Sequence, residues 1–261
     1  CFESGYTRSK NSVNVEMKNV ADFILAVFVF WLLGFGLMFG DSAFAFLGMS
    51  HFAPDLGREG YWQATFFLFQ AMFCATAVTI VSGAVAERVR FNGYLLISIA
   101  VAAVIYPVSG HWVWASAFSA QPGWLETMGF VDFAGSTLVH SVGGWVALAL
   151  LLEVGPRNGR FAKGEVNTIT SSNPTLVLIG TLFFVVGWLG FNGGSTLALD
   201  GRVPGIIANT LMAAVAGAAM SYALKKLFPT KILLDELASP CNGLLAGLVA
   251  ITASCHAVKT V

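Results

Sequence analysis

The chain has 261 residues, of which 56% are hydrophobic and only 11% are charged, and its mean hydropathy is +0.75. An ordinary soluble domain has roughly 45–50% apolar and about 25% charged residues, so this composition indicates an integral membrane protein. Fourteen basic and 14 acidic residues balance, which excludes a global charge suited to nucleic acid. The four cysteines show no CxxC spacing, and Cys74, Cys241 and Cys255 lie in apolar sequence. We interpret them as packing residues rather than a disulfide framework or a metal site.

Seven apolar runs follow a polar start, and each approaches the length of about 20 residues that crosses the hydrocarbon core of a bilayer. They predict spans near residues 20–39, 62–86, 93–114, 132–152, 175–198, 204–224 and 238–257. The chain is therefore expected to be an all-α integral membrane protein. Pairs of small residues, such as Gly243 with Gly247, Ala213 with Gly217, and Gly143 with Gly144, predict close helix packing.

Lys and Arg divide unevenly between the connectors, and such residues accumulate on the cytoplasmic side. Eleven fall on one side, namely Arg8, Lys10, Lys18, Arg88, Arg90, Arg157, Arg160, Lys163, Lys225, Lys226 and Lys231; three fall on the other, namely Arg58, Arg202 and Lys259. The start of the chain is therefore predicted to be cytoplasmic. By alternation, the fourth run passes from outside to inside with Asp132 at its outer end.

The fourth run carries a carboxylate and an imidazole in otherwise apolar sequence. At helical spacing, Asp132, Ser136 and His140 share one face, with His140 about 12 Å further along the axis than Asp132. An ionisable group at the centre of a span costs about 2.5–3.5 kcal/mol on insertion scales, so His140 is a candidate functional residue. The alternative is a packing histidine bonded to a neighbouring carbonyl group.

Three other motifs contain polar or aromatic residues that helix packing alone does not require. The sequence WLGFNGGS at residues 188–195 could line a vestibule with oxygens, although a loop has a similar composition. Phe66, Phe69 and Phe73 form an aromatic stripe on one helix face, which is more often core than gate. The sequence GHWVW at residues 110–114 is typical of an aromatic belt at the membrane interface. His51 and His111 are expected to be solvated near the outer surface, and no role is assigned to His256.

Two other classes of membrane protein fit less well. A seven-helix photoreceptor needs a lysine in the middle of its last helix, and none lies between Glu236 and Lys259. Its start would also lie on the opposite side of the membrane. An enzyme is disfavoured because there is no HExxH motif, no GxSxG motif and no pair of carboxylates within the spans.

Taken together, the motifs resemble the ammonium transporter (Amt/Mep/Rh) family over nearly the whole chain. The resemblance rests on GAVAER at 83–88, GHWVW at 110–114, DFAGSTLVH at 132–140, GWLGFNGGS at 187–195 and AGLVAIT at 246–252. It implies a trimer of protomers, each with two inverted five-helix repeats around a narrow pore. Residues 1–261 would form one transmembrane domain, truncated at both ends, that holds about seven of the family's eleven spans. Such a piece is not expected to conduct by itself.

The resemblance also implies a site, residue by residue. Phe69, Phe73, Trp114 and Ser195 match the outer ammonium site, and Phe73 with Phe191 matches the stacked pair that gates the pore. Asp132 matches the acidic residue that supports cation recruitment, and His140 matches the first of two pore histidines. Ser136 stands where many relatives have glycine.

The implied function is transport of ammonium or ammonia across the plasma or inner membrane for nitrogen uptake, without a metal, a cofactor or enzymatic chemistry. The expected partners are the substrate, the lipid bilayer and two further copies of the chain. The ends of the sequence are similar to those of relatives fused to signalling domains. An ammonium sensor of the same fold therefore remains the alternative.

Overall fold

Long helices form most of the chain. The computed structural model describes residues 1–42, 45–57, 60–162, 164–228 and 238–259. The α-helices are α1 (Phe2–Tyr6), α2 (Ser12–Val29), α3 (Phe35–Phe39), α4 (Tyr61–Val85), α5 (Phe91–Ala100), α6 (Tyr106–Trp114), α7 (Trp124–Thr127), α8 (Val142–Val154), α9 (Pro174–Gly194), α10 (Val203–Leu227) and α11 (Ala238–Thr252). Two short strands, β1 (Phe161–Ala162) and β2 (Glu165–Val166), pair antiparallel.

Six helical stretches of the described residues are long and apolar enough to cross a membrane. They are Ser9–Phe39, Tyr61–Val85, Phe91–Ala117, Ser136–Val154, Pro174–Gly194 and Val203–Leu227. They correspond to the first six predicted runs, and the seventh run forms the shorter α11. The prediction of a helical multi-pass membrane protein is confirmed. Among the charges used to predict orientation, Arg58, Lys163 and Lys231 lie outside the described residues.

Three of these spans contain a π-helical turn, at Phe30–Gly34, Val101–Ile105 and Ser136–Ser141. Such a turn closes its hydrogen bonds over five residues instead of four, so it adds one residue to the helix. The turn at Ser136–Ser141 contains His140. Sequence periodicity did not predict any of the three.

The chain divides into two compact units, a central unit (Met17–Glu153) and a terminal unit (Cys1–Glu16 with Val154–Val261). The core of the central unit is rich in aromatic rings. Phe66 contacts Phe35, Phe39 and Phe118, with ring centroids 6.3, 4.8 and 5.3 Å away. All but Phe118 are buried to 1% exposure or less, so α3, α4 and the segment after α6 are joined by a continuous apolar contact.

Charged groups are also buried in the central unit. Lys18 lies inside α2 with 1% exposure, and its Nζ donates to the carbonyl oxygen of Val89 at 2.7 Å. The ammonium group also lies 5.6 Å from the ring centroid of Tyr94, whose hydroxyl donates to the carboxylate of Asp22. Lys18 is therefore buried within the first helix, and the expectation that it lies in a polar segment before that helix is wrong. The first helix begins earlier than hydropathy predicted, because its polar turn is satisfied inside the protein.

The small residues of the terminal unit bring α10 and α11 into backbone contact. A Cβ atom on Gly217 would overlap the carbonyl oxygen of Gly243, and one on Gly247 would overlap that of Ala213. This confirms the predicted close packing. In the central unit the prediction holds for Gly143, whose Cβ would lie 2.8 Å from the oxygen of Ala77, but it is wrong for Gly144, which has open space around it.

The connector between α8 and α9 is partly ordered by hydrogen bonds. Arg160 Nη1 donates to the carbonyl oxygen of Asn167 at 2.7 Å, across the hairpin formed by β1 and β2. Asn173 caps α9 by accepting from the backbone N–H of Leu176 at 3.1 Å, and Pro174 occupies the first turn, where its missing N–H costs nothing. The cysteines form no disulfide within the described part of the chain, and Cys74, Cys241 and Cys255 are buried.

Candidate functional site

The carboxylate of Asp132 caps the start of the fourth span. Oδ1 accepts from the backbone N–H groups of Gly135 and Ser136 at 2.9 and 3.0 Å, and Oδ2 accepts from those of Thr137 and Leu138 at 2.8 Å each. These N–H groups at the beginning of a helix have no partner within the helix itself. Asp132 is only 4% exposed, so the carboxylate replaces the water that these donors would otherwise need.

This geometry corrects the helical spacing predicted for residues 132–140. Asp132 precedes the helix, which begins at Ser136 after Gly135 with φ +100°. Asp132, Ser136 and His140 therefore do not form one continuous helical stripe. The helical prediction for Asp132 is wrong because a carboxylate before an apolar run can also cap the helix that follows, and Asp is a preferred capping residue.

Trp114 is hydrogen-bonded to Asp132. Its indole Nε1 donates to the backbone carbonyl oxygen of Asp132 at 2.6 Å. A Cβ atom on Gly135 would lie 3.1 Å from the Cη2 atom of Trp114, and the φ of Gly135 also favours glycine. Asp132 thus holds the start of the helix with its side chain and the Trp114 ring with its backbone carbonyl group.

Three of the predicted site rings lie together in the central unit. The ring centroids of Phe69 and Phe73 are 4.7 Å apart at an interplanar angle of 60°, and those of Phe73 and Trp114 are 5.7 Å apart at 81°. Phe73 is 2% exposed, whereas Phe69 and Trp114 are half-buried. We call this group, Phe69 with Phe73 and Trp114, the aromatic cluster. Phe66, the third member of the predicted stripe, belongs instead to the apolar core.

His140 lies in the π-helical turn and is half-buried. Its Nδ1 is 3.1 Å from the carbonyl oxygen of Gly135, which also accepts the backbone N–H of His140 at 3.1 Å. A carbonyl oxygen only accepts, so Nδ1 carries the proton in this contact. In a neutral imidazole the lone pair is then on Nε2.

Phe191 and Ser195 belong to the terminal unit, where Ser195 follows the end of α9. The hydroxyl of Ser195 donates to the carbonyl oxygen of Phe191 at 2.8 Å, one turn earlier. That bond uses the only hydroxyl proton, so the oxygen of Ser195 has lone pairs for an external donor. The role of both residues stays a prediction.

Two buried polar pairs of the terminal unit were not assigned from sequence. Asn192 Nδ2 donates to Thr210 Oγ1 at 2.9 Å, and Trp188 Nε1 donates to Thr252 Oγ1 at 2.8 Å. Asn192, Thr210 and Thr252 are 0% exposed. The available signal was a short polar side chain within each of three apolar runs, which marks helix contacts or a path for polar species.

The remaining histidines differ in their surroundings. His51 is exposed, as expected. The expectation for His111 is wrong, because it is fully buried and its Nδ1 donates to the carbonyl oxygen of Met38 at 2.8 Å. His256 lies beyond the end of α11 and its side chain is exposed. The protein shields part of the imidazole from water, and this shielding, together with the nearby charge of Arg202, lowers the pKa of His256.

The apolar spans, with polar groups buried along them, define a multi-pass helical membrane protein. The model of the Ammonium Transporter Family matches residues 1–261, the whole chain. The chain therefore belongs to the ammonium transporter family, as the resemblance predicted.

Relatives and solved structures agree with this placement. A protein of Synechocystis sp. is 50% identical over 100% of this chain and 48% of its own length, and ammonium transporter Amt2 of Archaeoglobus fulgidus is 42% identical over 99% and 56%. The solved structure of a sensor Amt protein is 41% identical and matches 99% of this chain and 64% of its own, with a TM-score of 0.91. Mep2 of Saccharomyces cerevisiae is 26% identical, covers 98% and 58%, and has a TM-score of 0.84. The chain spans about half the length of the curated relatives it matches.

Proposed function

We propose that this chain forms the ammonium-binding part of a transporter that recruits ammonium from outside the cell, removes a proton and conducts ammonia across the membrane. Membership of the ammonium transporter family supports the substrate. The observation that carries the proposal is the aromatic cluster, because Trp114 is bonded directly to Asp132 at the start of the span that bears His140.

The outer site consists of Phe69, Phe73, Trp114 and Ser195. A cation over an aromatic face gains about 0.5–2 kcal/mol per contact, and ammonium fits because it is small and carries four N–H donors. The oxygen of Ser195 supplies an acceptor for one of them, since its own proton is bonded to Phe191. In the whole protein these four groups replace part of the ion's hydration shell.

Attraction at this site cannot carry the charge across the membrane. Moving a bare ion into a dry apolar channel costs tens of kcal/mol by the Born estimate, whereas neutral ammonia avoids that cost. Ammonium therefore transfers one proton below the outer site to the lone pair of His140 Nε2, which relays it onward while neutral ammonia continues. Phe73 with Phe191 excludes bulk water there as the gate. The tautomer of His140 is suited to this route, because the lone pair of Nε2 accepts an N–H donor.

Asp132 supports the site in two ways in this proposal. Its carboxylate orders the beginning of the fourth span, and its negative charge favours a cation nearby. Apart from this proton transfer, we infer no enzymatic reaction for the chain. The natural full-length protein is proposed to act as a homotrimer in the plasma or inner membrane, where its exposed apolar surface contacts lipid.

Electrical current on a solid-supported membrane tests this function. The natural full-length protein is reconstituted in liposomes and exposed to an ammonium pulse, with His140→Ala as the paired variant. A saturating current that changes in the variant supports transport through a path that includes His140. Absence of both current and ammonium binding would exclude the proposal.

A second candidate is an ammonium sensor with the same site and little flux. The specific observation in its favour is the 41% identity and the TM-score of 0.91 with the solved sensor Amt protein. In that case ammonium stabilises the natural protein against heat without producing a current, and a fused or associated signalling domain responds. A transport current comparable to that of a known ammonium transporter would exclude the sensor.

A further inference from the structure

The amide of Asn192 has a defined orientation in the terminal unit. Thr210 Oγ1 donates its single proton to the carbonyl oxygen of Ile206 at 2.7 Å. The same oxygen lies 2.9 Å from the Asn192 amide, so it accepts there, and the partner must be the donor Nδ2. With the amide reversed, Asn192 Oδ1 would face Thr210 Oγ1, and two acceptors would lie together without a proton between them. Thr210 therefore fixes the direction of the Asn192 oxygen.

The Oδ1 atom of Asn192 is consequently a buried acceptor with no hydrogen-bond partner among the residues that the structure describes. Asn192 is 0% exposed and lies in a span, so no bulk water compensates this oxygen. Leaving a buried acceptor without a donor opposes folding, and such groups in proteins usually have a bound species or a functional reason.

The matching pair formed by Trp188 and Thr252 shows what a purely structural contact looks like here. The Thr252 hydroxyl donates to the carbonyl oxygen of Leu248 and accepts the indole N–H of Trp188, so every polar atom of that pair is satisfied. The pair of Asn192 and Thr210 has the same arrangement, but Asn192 also carries Oδ1, an acceptor that this pair does not use. Packing of α9 against its neighbours does not require that additional acceptor.

The position of this acceptor relates it to the proposed outer site. Asn192 and Ser195 are three residues apart, so their side chains share one face of the helix end and are separated by about 4.5 Å along its axis. Each side chain presents an oxygen that can accept a hydrogen bond. The hydroxyl proton of Ser195 is donated to Phe191, and Asn192 Oδ1 carries no proton. A small molecule with N–H groups could pass from one oxygen to the other.

We propose that Asn192 Oδ1, held in place by Thr210, is an acceptor subsite for the nitrogen species that enters from the outer site. The proposal rests on the proposed ammonium function. Its ligand is a small N–H donor, ammonium or the ammonia formed from it. A resident water is the competing occupant, but a buried water typically makes about three hydrogen bonds. In the described part of the terminal unit the only other buried side-chain atom without a partner is Ser4 Oγ, next to the opposite end of α9.

The test compares Asn192→Leu, which removes the acceptor at similar volume, with the matched pair Thr210→Val and Thr210→Ser. The natural full-length proteins are reconstituted, and the ammonium concentration for half-maximal current is measured. Asn192→Leu is expected to raise it about tenfold, as for the loss of one hydrogen bond. Thr210→Val, which releases the amide, should raise it severalfold, and Thr210→Ser should leave it unchanged.

Heat stability in detergent with ammonium chloride or sodium chloride gives a second readout, which also applies to a sensor. Loss of the subsite reduces the extra stabilisation by ammonium, whereas a structural defect lowers stability equally in both salts. An Asn192→Leu protein with wild-type half-saturation and wild-type ammonium stabilisation would mean that the oxygen holds only water, and would overturn the inference. If Asn192→Leu does not fold, equal half-saturation in Thr210→Val and Thr210→Ser overturns it.

The controls separate this inference from the function on which it depends. A wild-type protein that neither conducts nor is stabilised by ammonium refutes both. A responsive wild-type protein with unaffected variants refutes the Asn192 subsite alone.

Discussion

Replacing Asp132 by Asn tests whether this residue acts mainly as a helix cap. The substitution keeps the size of the side chain but exchanges one oxygen for an NH₂ group. The carboxylate oxygens accept four backbone N–H groups, two each, at 2.8–3.0 Å. After the change one oxygen still serves one pair, while the NH₂ group faces the other pair, donor against donor.

The expected loss follows from those two donors. A buried donor left without an acceptor costs about 1–3 kcal/mol, so two cost about 2–6 kcal/mol. For a chain of this length, 2 kcal/mol corresponds to a fall in melting temperature of about 4–8 °C, and for a protein as long as its relatives, about twice this length, to about half of that. Because Trp114 is bonded to the backbone of Asp132, the same change should displace the indole ring and weaken ammonium binding.

The assay is thermal unfolding of the purified natural protein in detergent, together with ammonium-dependent current. Asp200→Asn is the matched control, because it removes an exposed acidic charge that pairs with Arg202 in a connector. We expect its melting temperature to stay within about 1 °C of wild type, since exposed ion pairs contribute little. If Asp132→Asn loses affinity but keeps the wild-type melting temperature, Asp132 acts through its charge and the capping argument is refuted.

Three further predictions concern other parts of the chain. His140→Ala should change the ammonium current but leave the melting temperature close to wild type, because the imidazole bonds within its own turn and the Asp132 cap is unaffected. An unchanged current would show that His140 does not lie on the path. Gly217→Ala should reduce the yield of folded protein, because the added methyl group meets the carbonyl oxygen of Gly243, whereas Gly190→Ala has open space and should fold normally in a detergent size-exclusion assay. Burial and a nearby guanidinium lower the pKa of His256 from its ordinary value of 6.5, so stability should be fully present above that value and fall as the pH drops through the lowered pKa. His256→Gln should flatten this part of a melting-temperature profile between pH 7 and 5, and an unchanged profile would contradict it.

Hydropathy predicted the helical spans well because long apolar segments have few alternatives in a bilayer. Runs such as 62–86 and 204–224 agree closely with α4 and α10. Small residues likewise predicted the contact between α10 and α11, since only backbone contact explains paired glycines on facing helices.

Buried polar groups were harder to predict, because their partners are distant in sequence. Lys18 was assigned to the polar start of the chain, whereas in the structure the carbonyl oxygen of Val89 and the ring of Tyr94 lie next to its ammonium group. His111 was read as a surface residue for the same reason, although Met38 accepts its proton. Hydropathy assigns such residues to water, whereas the folded protein supplies equivalent partners 71 and 73 residues away.

The aromatic stripe of α4 shows a different limit. Spacing predicted that Phe66, Phe69 and Phe73 share a face, but it could not separate the ring that joins the core from the two that join Trp114. That division depends on which helices pack against each turn. The family resemblance selected Phe69 and Phe73, whereas periodicity alone treats all three alike.

The π-helical turns also set the direction in which later side chains leave the helices that contain them. Each turn holds one residue more than the α-helix it interrupts, so every side chain after it is rotated by about 100° relative to an uninterrupted helix. In the third span, the turn at Val101–Ile105 thereby sets the direction in which Trp114 emerges nine residues later. Deleting a single residue there would preserve the length, hydropathy and composition of the span almost unchanged while turning the tryptophan away from Phe73. Span prediction would miss such a change entirely, although it would dismantle the aromatic cluster.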